Sequence, residues 1–176
     1  MKLLDILDSK KKRSIARTAL LSEGLISVND IARRTKSSRS FVSEFCGLLS
    51  KQGILRARNG KYALHQGTAV DRLRLITNIS ELPPEAYFAR YANVEAVGIY
   101  GSWVKGSNTA HSDADIWIKT KTRDLGRTLK LSGALKKKLG DVNILYLTPA
   151  KLKALKERDP VFYHSLVFGS LILYGN

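Results

Sequence analysis

Two aspartates at i, i+2 spacing, Asp113 and Asp115, follow an apolar run from Val94 to Tyr100, a Gly101-Ser102 turn and a spacer of ten residues. No other feature constrains the fold as much. The apolar run reads as a buried strand, and Ala114 to Lys119 reads as a second. Successive side chains of a strand point to opposite faces, so Asp113 and Asp115 share one face while Ala114 and Ile116 pack behind them. Two adjacent carboxylates repel unless a cation lies between them, and hard oxygen ligands of this kind suit Mg²⁺ or Mn²⁺. Gly101-Ser102 ends the first strand where a helix can start, a place where backbone N–H groups and the Ser102 hydroxyl face a phosphate.

This stretch resembles the nucleotidyltransferase superfamily that includes DNA polymerase beta, and in particular its minimal prokaryotic branch. The strand, Gly101-Ser102, the spacer and Asp113-Ala114-Asp115 follow the order of that family, and Gly106 and Ser112-Asp113 fall where the branch has them. The resemblance implies that Asp113 and Asp115 hold Mg²⁺ or Mn²⁺. It also implies that Gly101, Ser102 and Ser112 bind an NTP, with Lys105 adding charge. Trp103 departs from the pattern, standing where the branch often carries arginine.

A larger departure concerns the third acidic residue, which the family carries on a neighbouring strand. The matching run is Asp141 to Leu147, and the alignment puts Asn143 at the acidic position. An amide oxygen can touch a metal but cannot take a proton from an attacking hydroxyl. Asp141 lies on the same strand face, about 7 Å away by two residues' rise. Both Asn143 and Asp141 therefore stand as candidates.

With 176 residues, 44% of them hydrophobic, the chain can build one large or two small domains. The 30 Lys and Arg outnumber the 15 Asp and Glu, giving +15 and a pI near 10.1. That excess favours an anionic partner, nucleic acid ahead of a membrane surface. Residues 1 to 65 carry 14 basic and 5 acidic side chains, so the N-terminal third is the more basic per residue. The single cysteine, Cys46, excludes an internal disulfide and an intrachain thiolate cluster and fits a cytoplasmic location. The opening segment has the wrong charge layout for a secretory signal, and no apolar run is long enough to span a bilayer.

Residues 1–65 read as a separate unit. Leu3, Leu4, Ile6 and Leu7 give an apolar helical face, and Ile15, Ala19 and Leu20 begin a second. Asn29 is the expected cap of a short helix, Ser37-Ser38 starts the next, and Gly53 ends it. Asn59-Gly60 between alternating residues predicts a hairpin. Helices, a polar-fronted helix and a basic ribbon resemble a winged helix-turn-helix. That resemblance implies nucleic-acid contacts, DNA or RNA, by Arg39, Ser40 and Ser43 from the helix and Arg56, Arg58 and Lys61 from the wing.

Residues 66–92 read as a helical connector and the start of the catalytic domain, with a helix expected from Pro83-Pro84 through Tyr91. Residues 93–176 alternate strand and helix, with Gly140 at a helix end and Thr148-Pro149 at a helix start. The fold class expected is α+β, an N-terminal winged helix-turn-helix followed by a polymerase beta-like α/β domain with a mixed sheet.

Several residues carry no assignment. His65, His111 and His164 are too scattered for a metal motif. Ser102 has no base partner of its own and so reads as a phosphate holder and not a nucleophile; Cys46 reads as packing, and Tyr87, Phe88 and Tyr91 read as core. The function expected is transfer of an NMP from an NTP to a hydroxyl on an RNA end or a protein. The alternative is a DNA-binding regulator or antitoxin-like protein with a weak or inactive transferase domain. The resemblance adds a helical HEPN protein as a possible partner, and paired half-sites make a homodimer plausible.

Overall fold

The computed structural model describes residues 7–121 and 125–175. The apolar face read from Leu3, Leu4 and Ile6 lies outside them. The chain divides into two compact units. One runs through Thr77 and includes Gly106–His111; the other comprises Asn78–Lys105 and the residues from Ser112 onward. The segment read as a connector, residues 66–92, is thus divided between the units at Thr77.

The first unit runs α1 (Lys10–Leu20), β1 (Leu25–Ile26), α2 (Val28–Thr35), α3 (Arg39–Lys51), β2 (Leu55–Arg58), β3 (Lys61–Leu64) and the part of α4 (Thr68–Glu81) up to Thr77. Its core gathers Ile15, Leu20, Ile31, Phe45, Leu49 and Leu73, all at most 1% exposed. On α3 the buried face is Val42, Phe45, Cys46 and Leu49, while Phe41 and Leu48 are only partly covered. The cap of α2 is Ser27, not Asn29 as expected. Its hydroxyl accepts from the Asp30 N–H at 3.1 Å and donates to the Asp30 carboxylate at 2.6 Å, satisfying an orphan donor two residues earlier than expected. Asn59 and Gly60 both have positive φ, 47° and 72°, as a two-residue hairpin turn of the right twist requires. The strand order is β1-β3-β2, all antiparallel.

The second unit contains α5 (Glu85–Phe88), β4 (Val94–Tyr100), α6 (Ser102–Lys105), β5 (Ala114–Thr120), α7 (Leu125–Leu139), β6 (Val142–Leu147), α8 (Pro149–Arg158), α9 (Pro160–Gly169) and β7 (Leu171–Tyr174). The helix expected to reach Tyr91 is a single turn ending at Phe88. The Tyr91 N–H turns back to the Phe88 carbonyl, and the Val94 N–H to the Tyr91 carbonyl, which leads the chain into β4. The sheet order is β6-β5-β4-β7; β5 and β6 are parallel and the other pairs antiparallel, so the sheet is mixed. A parallel pair needs a long crossover, and α7 supplies it. Phe88, Val97, Ile99, Ile116, Leu131 and Leu135 form the core on one sheet face. Ala96, Trp117, Leu147 and Leu166 form a smaller core on the other. There the Trp117 indole lies over Gly98 so closely that a Cβ at Gly98 would sit 2.4 Å from the ring, and its Nε1 donates to Ser170 Oγ at 2.9 Å. Among the described residues, no helix is long and apolar enough to cross a membrane.

Candidate active site

The alternation read from the sequence survives in the second unit. Ala114 and Ile116 are fully buried, while Asp113 is exposed and Asp115 partly so. Asp115 is central. In the antiparallel β4–β5 ladder it pairs with Tyr100, and in the parallel β5–β6 ladder it pairs with Asn143. Burial pushes the Asp115 carboxyl above the usual carboxylate range, and the Asp113 charge adds to the shift. The side-chain hydrogen bond from Asn143 works against both.

Gly101 is held next to this carboxylate. Its φ is 73°, a left-handed conformation costly for residues with a Cβ, and a Cβ there would lie 2.6 Å from Asp115 Oδ2. Only glycine lets the turn pass so near the acid. From Gly101 the chain enters α6, and the Lys105 N–H returns to the Gly101 carbonyl at 3.2 Å. Ser102 is half-buried and Lys105 exposed. Trp103 points into the core at 4% exposure, which removes it from any phosphate-binding surface. Its carbonyl accepts from Asn78 Nδ2 at 2.9 Å.

The register decides which residue faces the aspartates on β6. Asn143 stands opposite Asp115, and Asp141 precedes the strand, its carbonyl accepting from the Ala114 N–H at 2.9 Å. Among the described residues, no group of three or more His, Cys, Asp or Glu side chains is placed to hold a metal ion. Two carboxylates and an amide oxygen nevertheless fit a magnesium-type ion. Such an ion takes one or two protein carboxylates and fills its remaining positions with water and substrate phosphates. Ser112, half-buried, immediately precedes the pair.

Tyr100 escaped the sequence reading, although it closes the apolar strand directly before Gly101. Burial, and then the Asp115 charge, push its hydroxyl above the usual phenol range, and its ring meets Phe162 of α9 edge-on at 6.1 Å. The spacer from Gly106 to His111 belongs to the first unit, where Arg74 Nη1 donates to the Gly106 carbonyl at 3.0 Å and the Ala110 N–H to the Leu21 carbonyl at 3.1 Å.

Within the first unit, Arg39, Ser40 and Ser43 are exposed on the first turns of α3. Arg56 and Arg58 project from one face of β2. Lys61, paired directly with Arg58, shares that face, so three exposed cations lie together on the ribbon.

A mixed sheet with a glycine-serine turn set against paired carboxylates is the framework of a nucleotidyl-transfer domain. The polymerase beta nucleotidyltransferase family model matches residues 85–176, more than half of the chain, and the protein belongs to that family. No curated protein matches the chain.

Proposed function

We propose that the second unit transfers an NMP from an NTP to a hydroxyl acceptor and that the first unit is a winged helix-turn-helix that brings it to nucleic acid. The observation that carries the enzymatic reading is the contact geometry of Gly101 and Asp115, in which a Cβ-free turn sits against a partly buried carboxylate. Gly101 and Ser102 bind the terminal phosphates through the turn and the hydroxyl, with Lys105 adding positive charge and Ser112 a further hydroxyl. Asp113 and Asp115 hold Mg²⁺ or Mn²⁺. An ion held there would supply charge neutralisation to the transferring phosphoryl group. Asn143 and Tyr100 flank Asp115 on the two neighbouring strands, and Asn143 favours the ionised carboxylate.

The winged-helix reading rests on the element order of the first unit, with a helix whose exposed start carries Arg39, Ser40 and Ser43. The three like charges Arg56, Arg58 and Lys61 on one ribbon face repel one another in the absence of an anion. A phosphate backbone relieves that repulsion. An RNA end is therefore favoured over a protein hydroxyl as acceptor.

The test is thermal unfolding with each NTP, with and without Mg²⁺, for the native chain and the Asp113→Asn, Asp115→Asn double variant. A ligand at about 100 times its dissociation constant stabilises by about 2.7 kcal/mol, several degrees for a chain of this size. A magnesium-dependent shift absent from the double variant is the expected result. No shift with any nucleotide sinks the transferase reading.

One observation favours a second reading. Asn143 occupies the position opposite Asp115, and an amide cannot accept the acceptor's proton. On that reading the protein is a DNA-binding regulator or antitoxin-like protein, with a HEPN-like protein as partner, whose transferase domain binds nucleotide but turns over little. A site-preferring shift of duplex DNA, with no label transfer from NTP, selects it; equal binding to random DNA rejects it.

A further inference from the structure

The C-terminal segment of the second unit carries a surface that the proposed chemistry does not use. Helix α9 spans ten residues, of which only Leu166 is fully buried. Val161 is 80% exposed, Phe168 81% and Val167 52%, and Ile172 on the adjoining strand β7 is 48% exposed. Val161, His164, Ser165 and Phe168 follow the i, i+3, i+4, i+7 spacing of one helix stripe, and all four are exposed. The stripe is apolar at both ends, and His164 stacks on the Phe168 ring at 5.8 Å. Ile172 continues the patch: it and Trp117 both pair with Gly98, so it lies on the sheet face that α9 covers through Leu166.

Charge limits what can cover this surface. From Pro160 to Gly175 there is no Lys, Arg, Asp or Glu, in a chain of net charge +15. Two copies approaching through most other surfaces repel each other, whereas here they meet without opposed charges. The stripe itself offers nucleic acid no cation; the Lys156 ammonium lies beside it, 6.0 Å from the centroid of the Tyr163 ring, and leaves the apolar face between Val161 and Phe168 without a charge for an acidic or basic partner to pair with. A two-fold axis needs a self-complementary surface. A stripe with large apolar ends and the small Ser165 near its centre is self-complementary when two such helices cross antiparallel. The irregular pairing of β7 with β4, between Val97 and Gly98, makes the strand edge the lesser part of the contact.

We propose that α9 forms the interface of a symmetric homodimer, in which Phe168 packs against Val161 of the partner subunit and the two helices cross near Ser165. One helix face with a flanking strand is a small interface, so the dissociation constant is on the order of micromolar.

Sedimentation equilibrium of the full chain from low to high micromolar concentration, at 150 mM and 500 mM NaCl, tests this. The expected species has twice the 19.6 kDa chain mass and grows with salt, because salt screens the repulsion of two cationic copies. The variants V161E and F168K are each expected to weaken association at least tenfold, with circular dichroism unchanged, and with the unfolding temperature unchanged at concentrations where the native chain is monomeric, because both positions are exposed in the single chain. Combining them brings Glu opposite Lys twice across the axis and is expected to restore the dimer. A monomer at all concentrations overturns the proposal, including the case in which the monomer binds a different protein through this face. A dimer indifferent to both single substitutions overturns it as well, and failure of the combined variant to recover overturns the antiparallel packing.

Discussion

Asn143 stands directly across the parallel β5–β6 ladder from Asp115, and its side chain favours the ionised form of the Asp115 carboxyl. The residue is therefore part of the acidic site, and its chemical neutrality sets the charge available to a cation there.

Asn143→Asp adds a third carboxylate at that position. Affinity for Mn²⁺ is expected to rise by about tenfold or more, since ligand charge count tunes such sites. The metal-free protein is expected to lose stability as three like charges crowd together. Titration calorimetry with Mn²⁺ and thermal unfolding in a chelator read the two effects. An unchanged metal affinity means that position 143 does not reach the ion.

Asp115→Asn is expected to act in the opposite sense on the metal-free protein. Burial and the neighbouring Asp113 disfavour the ionised Asp115 carboxyl, so a neutral isostere relieves both. Because the group is partly solvated, the gain is small, about 0.5 kcal/mol at neutral pH. A rise of roughly a degree in unfolding temperature, together with loss of any magnesium-dependent nucleotide shift, is the expected pair of results.

Gly101→Ala brings a Cβ into a left-handed conformation and against Asp115 Oδ2. The expected loss is about 1–3 kcal/mol. At about 2–4 °C per kcal/mol the unfolding midpoint falls measurably. If the carboxylate moves aside to make room, nucleotide stabilisation falls as well; a variant with native stability and nucleotide response contradicts the close approach.

Cys46 is fully buried on α3, and burial pushes its thiol from an ordinary 9.0 up to about 11. At pH 8 a disulfide reagent is expected to react only at the rate of unfolding. The unfolded thiol ionises first as pH rises, so stability contributed by the buried neutral form is complete below about pH 9 and is lost towards pH 11. Fast labelling of the native chain rejects this placement.

Much of the second unit, and the hairpin of the first, was legible from local pattern. Strands β4, β5 and β6 follow from apolar and alternating runs, and the glycine-serine turn and the Asn59-Gly60 hairpin follow from backbone chemistry carried by one or two residues. The misplacements have a local cause as well. Ser27 and Asn29 are both good cap residues, and the choice fell to Ser27 because Asp30 completes a reciprocal pair with its hydroxyl. The tandem proline before α5 signals a helix start but not its length, which the turn back from Tyr91 to Phe88 limits.

By itself, the sequence determined where strands β2 to β6 and their turns lie, though not β1, and that Asp113 and Asp115 share a face, because side-chain alternation and left-handed glycine act over a few residues. Only the tertiary structure decided that Asn143 rather than Asp141 faces Asp115, that Trp103 lies in the core, and that Gly106 to His111 groups with the first unit. Parallel register depends on how the crossover helix α7 packs, and the grouping of a spacer depends on partners such as Leu21 and Arg74, far away in the chain. Those are long-range choices, made by packing and by the need to pair buried backbone groups, and no short window of residues encodes them.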